Sequence, residues 1–253
     1  MENFLGYILF IISGLLFGLF GAGGSLITIP ILIYFFDLSF KVSTSYSLII
    51  VFLVSFLGII TSSKSKIYKF KSVLFFGLTS LFGVFFSRNY LFQLASEDLL
   101  IIVFVSFLFI SGLFMLNRER FQFVRFSMND SVLYNYFPLM FQGFLVGNLT
   151  GLLGVGGGFL IVPVLIIFQK FNVKQAANAS MFLIFLNSWF SIIIDVSNNF
   201  LCFESQFFFY ILLFSITGLL IGKKIQKLIN LKIMHKIFAF FLIIISLFIA
   251  FNI

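Results

Sequence analysis

The residues best placed to do chemistry in this chain fall in two glycine-rich stretches. Gly18–Pro30 reads GLFGAGGSLITIP and Gly151–Pro163 reads GLLGVGGGFLIVP. Gly21, Gly23, Gly24 and Ser25 interrupt the first; Gly154, Gly156, Gly157 and Gly158 interrupt the second. An interruption of this kind opens a new half-helix, whose first N–H groups lack intrahelical partners and whose dipole presents positive potential. Glycine adds the backbone freedom that lets a ligand come close. The chemistry implied is recognition of an anion by backbone amides. Short polar side chains sit nearby in sequence: Thr44 and Ser45 within VSTS, Asn178 and Ser180 within ANAS, and Asn148 and Thr150 just before the second interruption. Each can cap a helix or donate to a ligand. The competing reading of the glycines is close helix packing.

Other chemistries find little material. Neither stretch ends in the G-K-[S/T] of a nucleotide-binding loop. Cys202 is the sole cysteine and His235 the sole histidine, so no disulfide, metal site, cofactor or catalytic centre is expected, and the chain reads as a non-enzyme. Asp195 is read as an interfacial residue, Arg88 and Lys223 as boundary anchors reaching the headgroups, and Trp189 as packing or lining.

The elements that must position these residues are membrane helices. Of 253 residues, 61% are hydrophobic and 9% charged, and the mean hydropathy is +1.19, too little polar surface for a water-soluble globule of this size. Continuous apolar runs argue for helices over barrel strands. The net charge of +8 lies in short connections between spans, which favours a lipid bilayer partner and argues against nucleic acid. Met1-Glu2-Asn3 lacks a basic leader, so the first apolar run is expected to remain as structure.

Gly18 aligns with Gly151, and, with an offset two residues larger, Gly83 aligns with Gly218 and Arg88 with Lys223. The chain therefore reads as a duplication, with repeats at 1–117 and 135–253 joined by a cytoplasmic linker at 118–134. The expected segments are 4–36, broken at 21–25, then 43–61, 72–87 and 99–117. In the second repeat they are 135–169, broken at 154–158, then 175–194, 206–222 and 237–252.

Lys64, Lys66, Lys69 and Lys71 fill a loop whose counterpart, Asp195 to Gln206, has no Lys or Arg; Lys223, Lys224, Lys227, Lys232 and Lys236 fill the other loop of the second repeat. By the bias of Lys and Arg toward the cytoplasm, corresponding loops lie on opposite sides. The fold class expected is all-α: a polytopic membrane protein of two inverted repeats, each a Gly-broken helix hairpin plus three transmembrane helices. Both termini face outward, with only Lys41 and Arg88 of the basic residues on that side. Inverted repeats with interrupted helices at matching positions point to a secondary transporter with its site between the halves.

The paired G-x-x-G-x-G-G-G-x-x-x-x-P motifs, each followed about a dozen residues later by an A-x-G-T-S-like helix start, resemble the TauE/SafE sulfite exporter family of membrane permeases. The resemblance covers essentially the whole chain from Gly14 to about Phe251. It implies conserved elements at Gly18, Gly21, Gly23, Gly24 and Pro30, and at Gly151, Gly154, Gly156, Gly157, Gly158 and Pro163. Ser25 stands where the family has its third glycine. Val42–Ser45 lacks the motif glycine, and Asn178 and Ala179 replace Gly and Thr in the second helix start.

The resemblance implies export of sulfite, organosulfonates or related small anions across a bacterial inner membrane. No predicted span carries a charge at its middle, so outward movement of an anion could run on the membrane potential, worth about 2.3 kcal/mol per charge per 100 mV. An anion channel or a subunit of a larger complex is the alternative, and a homo-oligomer is compatible with the sequence.

Overall fold

The computed structural model describes residues 2–20, 24–61, 70–116, 132–167, 173–198, 205–226 and 231–251, together with Phe171 and Phe200. Every regular element among the described residues is a helix. The first half holds α1 (Glu2–Phe20), α2 (Gly24–Phe36), α3 (Phe40–Thr61), α4 (Phe70–Phe86) and α5 (Glu97–Leu116). The second holds α6 (Val132–Leu153), α7 (Gly158–Ile167), α8 (Val173–Ser197), α9 (Ser205–Gln226) and α10 (Leu231–Phe251). Both glycine stretches break a helix where expected, and most other spans match their apolar runs, but the helix of α4 runs on to Leu94 and α10 begins at Leu231, ahead of the expected 237.

The exterior is apolar and the interior partly polar, the reverse of a soluble protein. Phe82, Leu94, Phe137, Ile244 and Phe251 are strongly exposed, whereas Ser43, Ser47, Ser55, Ser80, Ser87 and Ser188 are fully buried. Hydrocarbon outside makes exposed Phe and Leu cheap, and hydroxyls must instead find partners inside. Among the described residues, four helices are long and apolar enough to cross a membrane: Phe40–Thr61, Lys71–Leu94, Gln175–Ser197 and Gln206–Gln226. The chain is thus suited to crossing the bilayer several times.

Glycines let helices from the two halves touch backbone to backbone. A Cβ on Gly14 or Gly18 would strike the backbone of Ser215 or Leu219, and one on Gly218 or Gly222 would strike that of Ile11 or Leu15. Residue numbers rise together along this seam, so α1 and α9 run parallel. The same holds for α4 with α6, where Gly147 meets Ser80, Gly151 meets Ser87 and Val84, and Gly83 meets Phe144 and Asn148. Small residues without side chains allow the close approach that membrane helices need when no hydrophobic effect drives them together.

The centre is formed by α3 and α8, which run antiparallel. Ser45 bonds Asp195 at one end. Phe52 stacks on Phe185 and packs beside Trp189 in the middle, and Gly58 abuts Met181 at the other end. Within the first half, α1 and α2 form an antiparallel hairpin in which Phe36 covers Gly6, and the Ser13 hydroxyl donates to Gly24 O at 2.8 Å.

Candidate functional site

The second interruption is a buried turn. Gly154, Gly156 and Gly157 have φ of 65°, 65° and 76°, left-handed values that a Cβ would strain. The Gly154 N–H donates to Thr150 O, and Leu160 and Ile161 N–H donate to Gly157 O. Among the described residues, the amides of Val155, Gly156 and Gly157 stand outside the backbone bonds of that turn. Contact with neighbouring helices is close. A Cβ on Gly154 would run into Thr44, one on Gly156 would lie 2.7 Å from Val51 and 3.0 Å from the Ser188 hydroxyl, and one on Gly157 would collide with the Thr150 methyl. Among the described residues the hydroxyls of Ser188 and Ser47 are buried with no hydrogen-bond partner.

Beside this turn lies the most polar group of the interior. Arg88 Nε and Nη2 donate to Asp195 Oδ1 and Oδ2 at 2.5 and 2.6 Å, a bidentate pair with side chains 0% and 1% exposed. Thr44 and Ser45 converge on it: Ser45 Oγ donates to Asp195 Oδ2 at 2.8 Å, and Arg88 Nη2 lies 3.1 Å from Ser45 Oγ and 3.3 Å from Thr44 Oγ1. Arg88 Nη1 donates to Gly151 O of the glycine motif at 3.1 Å. The guanidinium rests 3.8 Å from the centre of the Phe92 ring, and Lys41 Nζ lies 5.7 Å from the same ring.

Two expectations fail here. Arg88 does not snorkel to a headgroup, because the helical path does not stop with α4 at Phe86. The helix passes through a π-helical turn, Ser87–Leu91, and on to Leu94, carrying Arg88 into the interior. Asp195 is not interfacial, because α8 extends to Ser197 and turns the carboxylate onto that arginine. The extra residue of a π turn re-aims side chains and recurs at functional sites.

Lys223, aligned with Arg88, is only partly buried. It reaches back over the end of α3 to Gly58 O and Thr61 Oγ1, both at 2.5 Å. Trp189 is half exposed beside Phe52 and belongs to the outer face.

The polar residues expected to form one cradle instead occupy two ends of the α3–α8 pair. Thr44, Ser45 and Gly154 gather at the Arg88–Asp195 end, whereas Gly156 packs on Val51, Ile184 and Ser188 at the middle of the pair, with Gly157 against Thr150 and Gly158 following it at the start of α7. Ser180, bonded to Ala177 O, and half-buried Asn178 lie toward the Gly58–Lys223 end, about 20 Å away at 1.5 Å per residue. Asn148 donates to Phe144 O of its own helix, and Thr150 Oγ1 to Gly147 O. Gly24 packs on Ser13 and Phe17; Gly21, Gly23 and the side chains of Ser25, Pro163 and His235 lie outside the described residues, as do the 118–134 linker and Lys64, Lys66 and Lys69.

Between the two ends runs a buried polar line not anticipated from sequence: Ser191, Ser188 and Asn187 on α8, and Ser55 and Ser47 on α3. Asn187 Nδ2 donates to Ser80 Oγ of α4 at 2.7 Å. On the outer flank of α4 and α8, Phe85, Asn89, Tyr90, Phe190 and Ile194 line a cleft of about 440 Å³. Its residues Asn89 and Ile194 are chain neighbours of the ion pair.

A bundle of apolar-faced helices enclosing a buried ion pair and a line of hydroxyls is an integral membrane protein of the transporting kind. Residues 7–249 match the family described as Sulfite exporter TauE/SafE, and the chain belongs to that family of membrane transporters. A protein of Methanocaldococcus jannaschii named "Probable membrane transporter protein" is 31% identical over 182 residues, covering 70% of this chain and 66% of its own length. The like-named YunE of Bacillus subtilis is 27% identical over 207 residues, 73% of this chain and 76% of its own. A like-named protein of Xylella fastidiosa is 27% identical over 169 residues, covering 66% and 64%. No solved structure matches the chain.

Proposed function

We propose that the chain is a secondary permease that exports small anions of the sulfite and organosulfonate class, working by rearrangement of two inverted repeats about the α3–α8 centre. The observation that carries this reading is the agreement of the glycine seams. Gly14 meets Ser215 as its counterpart Gly147 meets Ser80. Gly218 meets Ile11 and Leu15 as its counterpart Gly83 meets Phe144 and Asn148. These paired glycine contacts support a two-fold relation between the repeats. Sulfite as the class of cargo rests on the family description.

The buried hydroxyl line supports a polar route between the two ends of α3 and α8. Anions crossing it meet O–H and N–H donors where side-chain cations would be costly to insert. An inside-negative potential then favours outward movement of a negative charge without a nucleotide-driven engine. On this reading both termini face outward and the membrane is the bacterial inner membrane.

The test is reconstitution. Liposomes holding sulfite, sulfoacetate or short carboxylates should release at least one of them in a saturable, protein-dependent way, with counterflow and with a rate that rises as the inside is made more negative. Voltage-insensitive efflux would remove the potential-driven form, and no flux of any of these anions would remove the permease. A C-terminal reporter active only in the cytoplasm would reverse the proposed orientation.

A further inference from the structure

We infer that Arg88 is the anion-recognising cation of this transporter and that Asp195 is a built-in competitor occupying its binding edge. This rests on the permease reading and names the site within it. The geometry resembles a filled receptor more than a cross-brace. The carboxylate takes both oxygens' worth of the guanidinium fork, Nε to Oδ1 at 2.5 Å and Nη2 to Oδ2 at 2.6 Å, while the Ser45 hydroxyl donates to the same Oδ2 at 2.8 Å. A carboxylate, sulfite or sulfonate presents two oxygens at a similar spacing and would accept the same three bonds.

The surroundings fit exchange of one anion for another. The guanidinium is held from behind, by Gly151 O on Nη1 and by the Phe92 ring beneath its plane, so it keeps its orientation when the carboxylate leaves. Asp195 lies in the last turn of α8, where, beyond the helix's own bonds, Asn198 N–H donates to Ile194 O and Phe200 N–H to Asp195 O. Thr44, whose Oγ1 accepts from Arg88 Nη2 and donates to Lys41 O, is the residue against which Gly154 packs, so a movement of the glycine turn reaches the guanidinium directly. In the aligned position of the other half Ile60 stands where Asp195 would, so the competitor exists at one end only.

A purely structural ion pair makes the opposite forecast for one double variant. Arg88→Gln/Asp195→Asn removes both charges and leaves room for one amide–amide hydrogen bond in place of the bidentate pair. If the pair only holds helices together, that variant folds and transports like the parent. If Arg88 binds the cargo, it folds and does not transport.

A second readout needs no flux. In detergent, sulfoacetate should raise the unfolding temperature of Asp195→Asn at concentrations at least about tenfold lower than it does for the parent, since the competitor is gone, a difference of about 1.4 kcal/mol or more. The double variant should show no such shift. Parent-like response of Asp195→Asn to sulfoacetate, or a double variant that still transports or still binds, overturns the inference. Should Asp195→Asn fail to fold, the double variant alone decides. A parent protein that moves no anion while Asp195→Asn binds sulfoacetate through Arg88 would sink the permease reading and leave this one standing.

Discussion

Replacing Gly157 by alanine adds one methyl group at the most constrained point of the second glycine turn, and two costs can be separated there. The φ of 76° lies in the left-handed region, which costs a residue with a Cβ about 1–2 kcal/mol. The new Cβ would also collide with the Thr150 methyl and lie 3.1 Å from Thr150 Cβ, an overpacking worth about 1–3 kcal/mol. Together they predict a loss of about 2–5 kcal/mol.

The steric part has a remedy. Thr150→Ser removes the offending methyl and keeps the hydroxyl that donates to Gly147 O at 2.9 Å. Alone it deletes one buried methyl, about 1 kcal/mol. In the double variant the collision is relieved while the dihedral strain stays, so the two changes should couple by about 1–3 kcal/mol. The assay is chemical or thermal unfolding of the purified parent, both single variants and the double variant in one detergent. Strict additivity, or a Gly157→Ala protein as stable as the parent, would refute this account of the turn.

The two helix seams should respond alike. Gly83→Ala drives a methyl into Phe144 O and Gly218→Ala drives one into Ile11 O, so each should lose about 1–3 kcal/mol, checked by unfolding; one neutral and one costly would break the correspondence. Asn187→Ala removes the 2.7 Å bond to Ser80 and should cost about 0.6 kcal/mol and no more than about 1.7, the range of interhelical hydrogen bonds in membrane proteins. Arg88→Ala strands a carboxylate that is 1% exposed and should cost about 3–5 kcal/mol in detergent unfolding, well beyond the same change at part-exposed Lys223.

The helices and both glycine breaks were legible because each depends on neighbours in the chain. Apolar runs of spanning length become helices in lipid, and glycine clusters inside them mark where the helix stops. Pro30 ends the motif but not the helix; it sits inside α2, seven residues into it, where a buried environment tolerates the lost bond.

The heart of the site was hidden for the opposite reason. Arg88 and Asp195 meet only once α4 and α8 lie side by side, and each stood close enough to an expected helix end to pass for an anchor. A signal was present in the spacing. Asn187, Ser191 and Asp195 recur every four residues on α8, and Ser80, Ser87 and Arg88 share one face of α4, so polar residues of two long apolar helices line up along a single stripe of each. Thr44 and Ser45 were found as polar contacts, and their partners were missed: Ser45 donates to Asp195, and Thr44 accepts from Arg88. Asn148 fell to a local bond within its own helix, which a short amide side chain often prefers.

The glycine seams settle what kind of pieces this molecule can be divided into. Since α1 lies flush against α9 and α6 against α4, a cut of the polypeptide midway would leave two fragments, each holding a groove shaped for a helix it does not own. Such fragments would have to be made together to reach the native state.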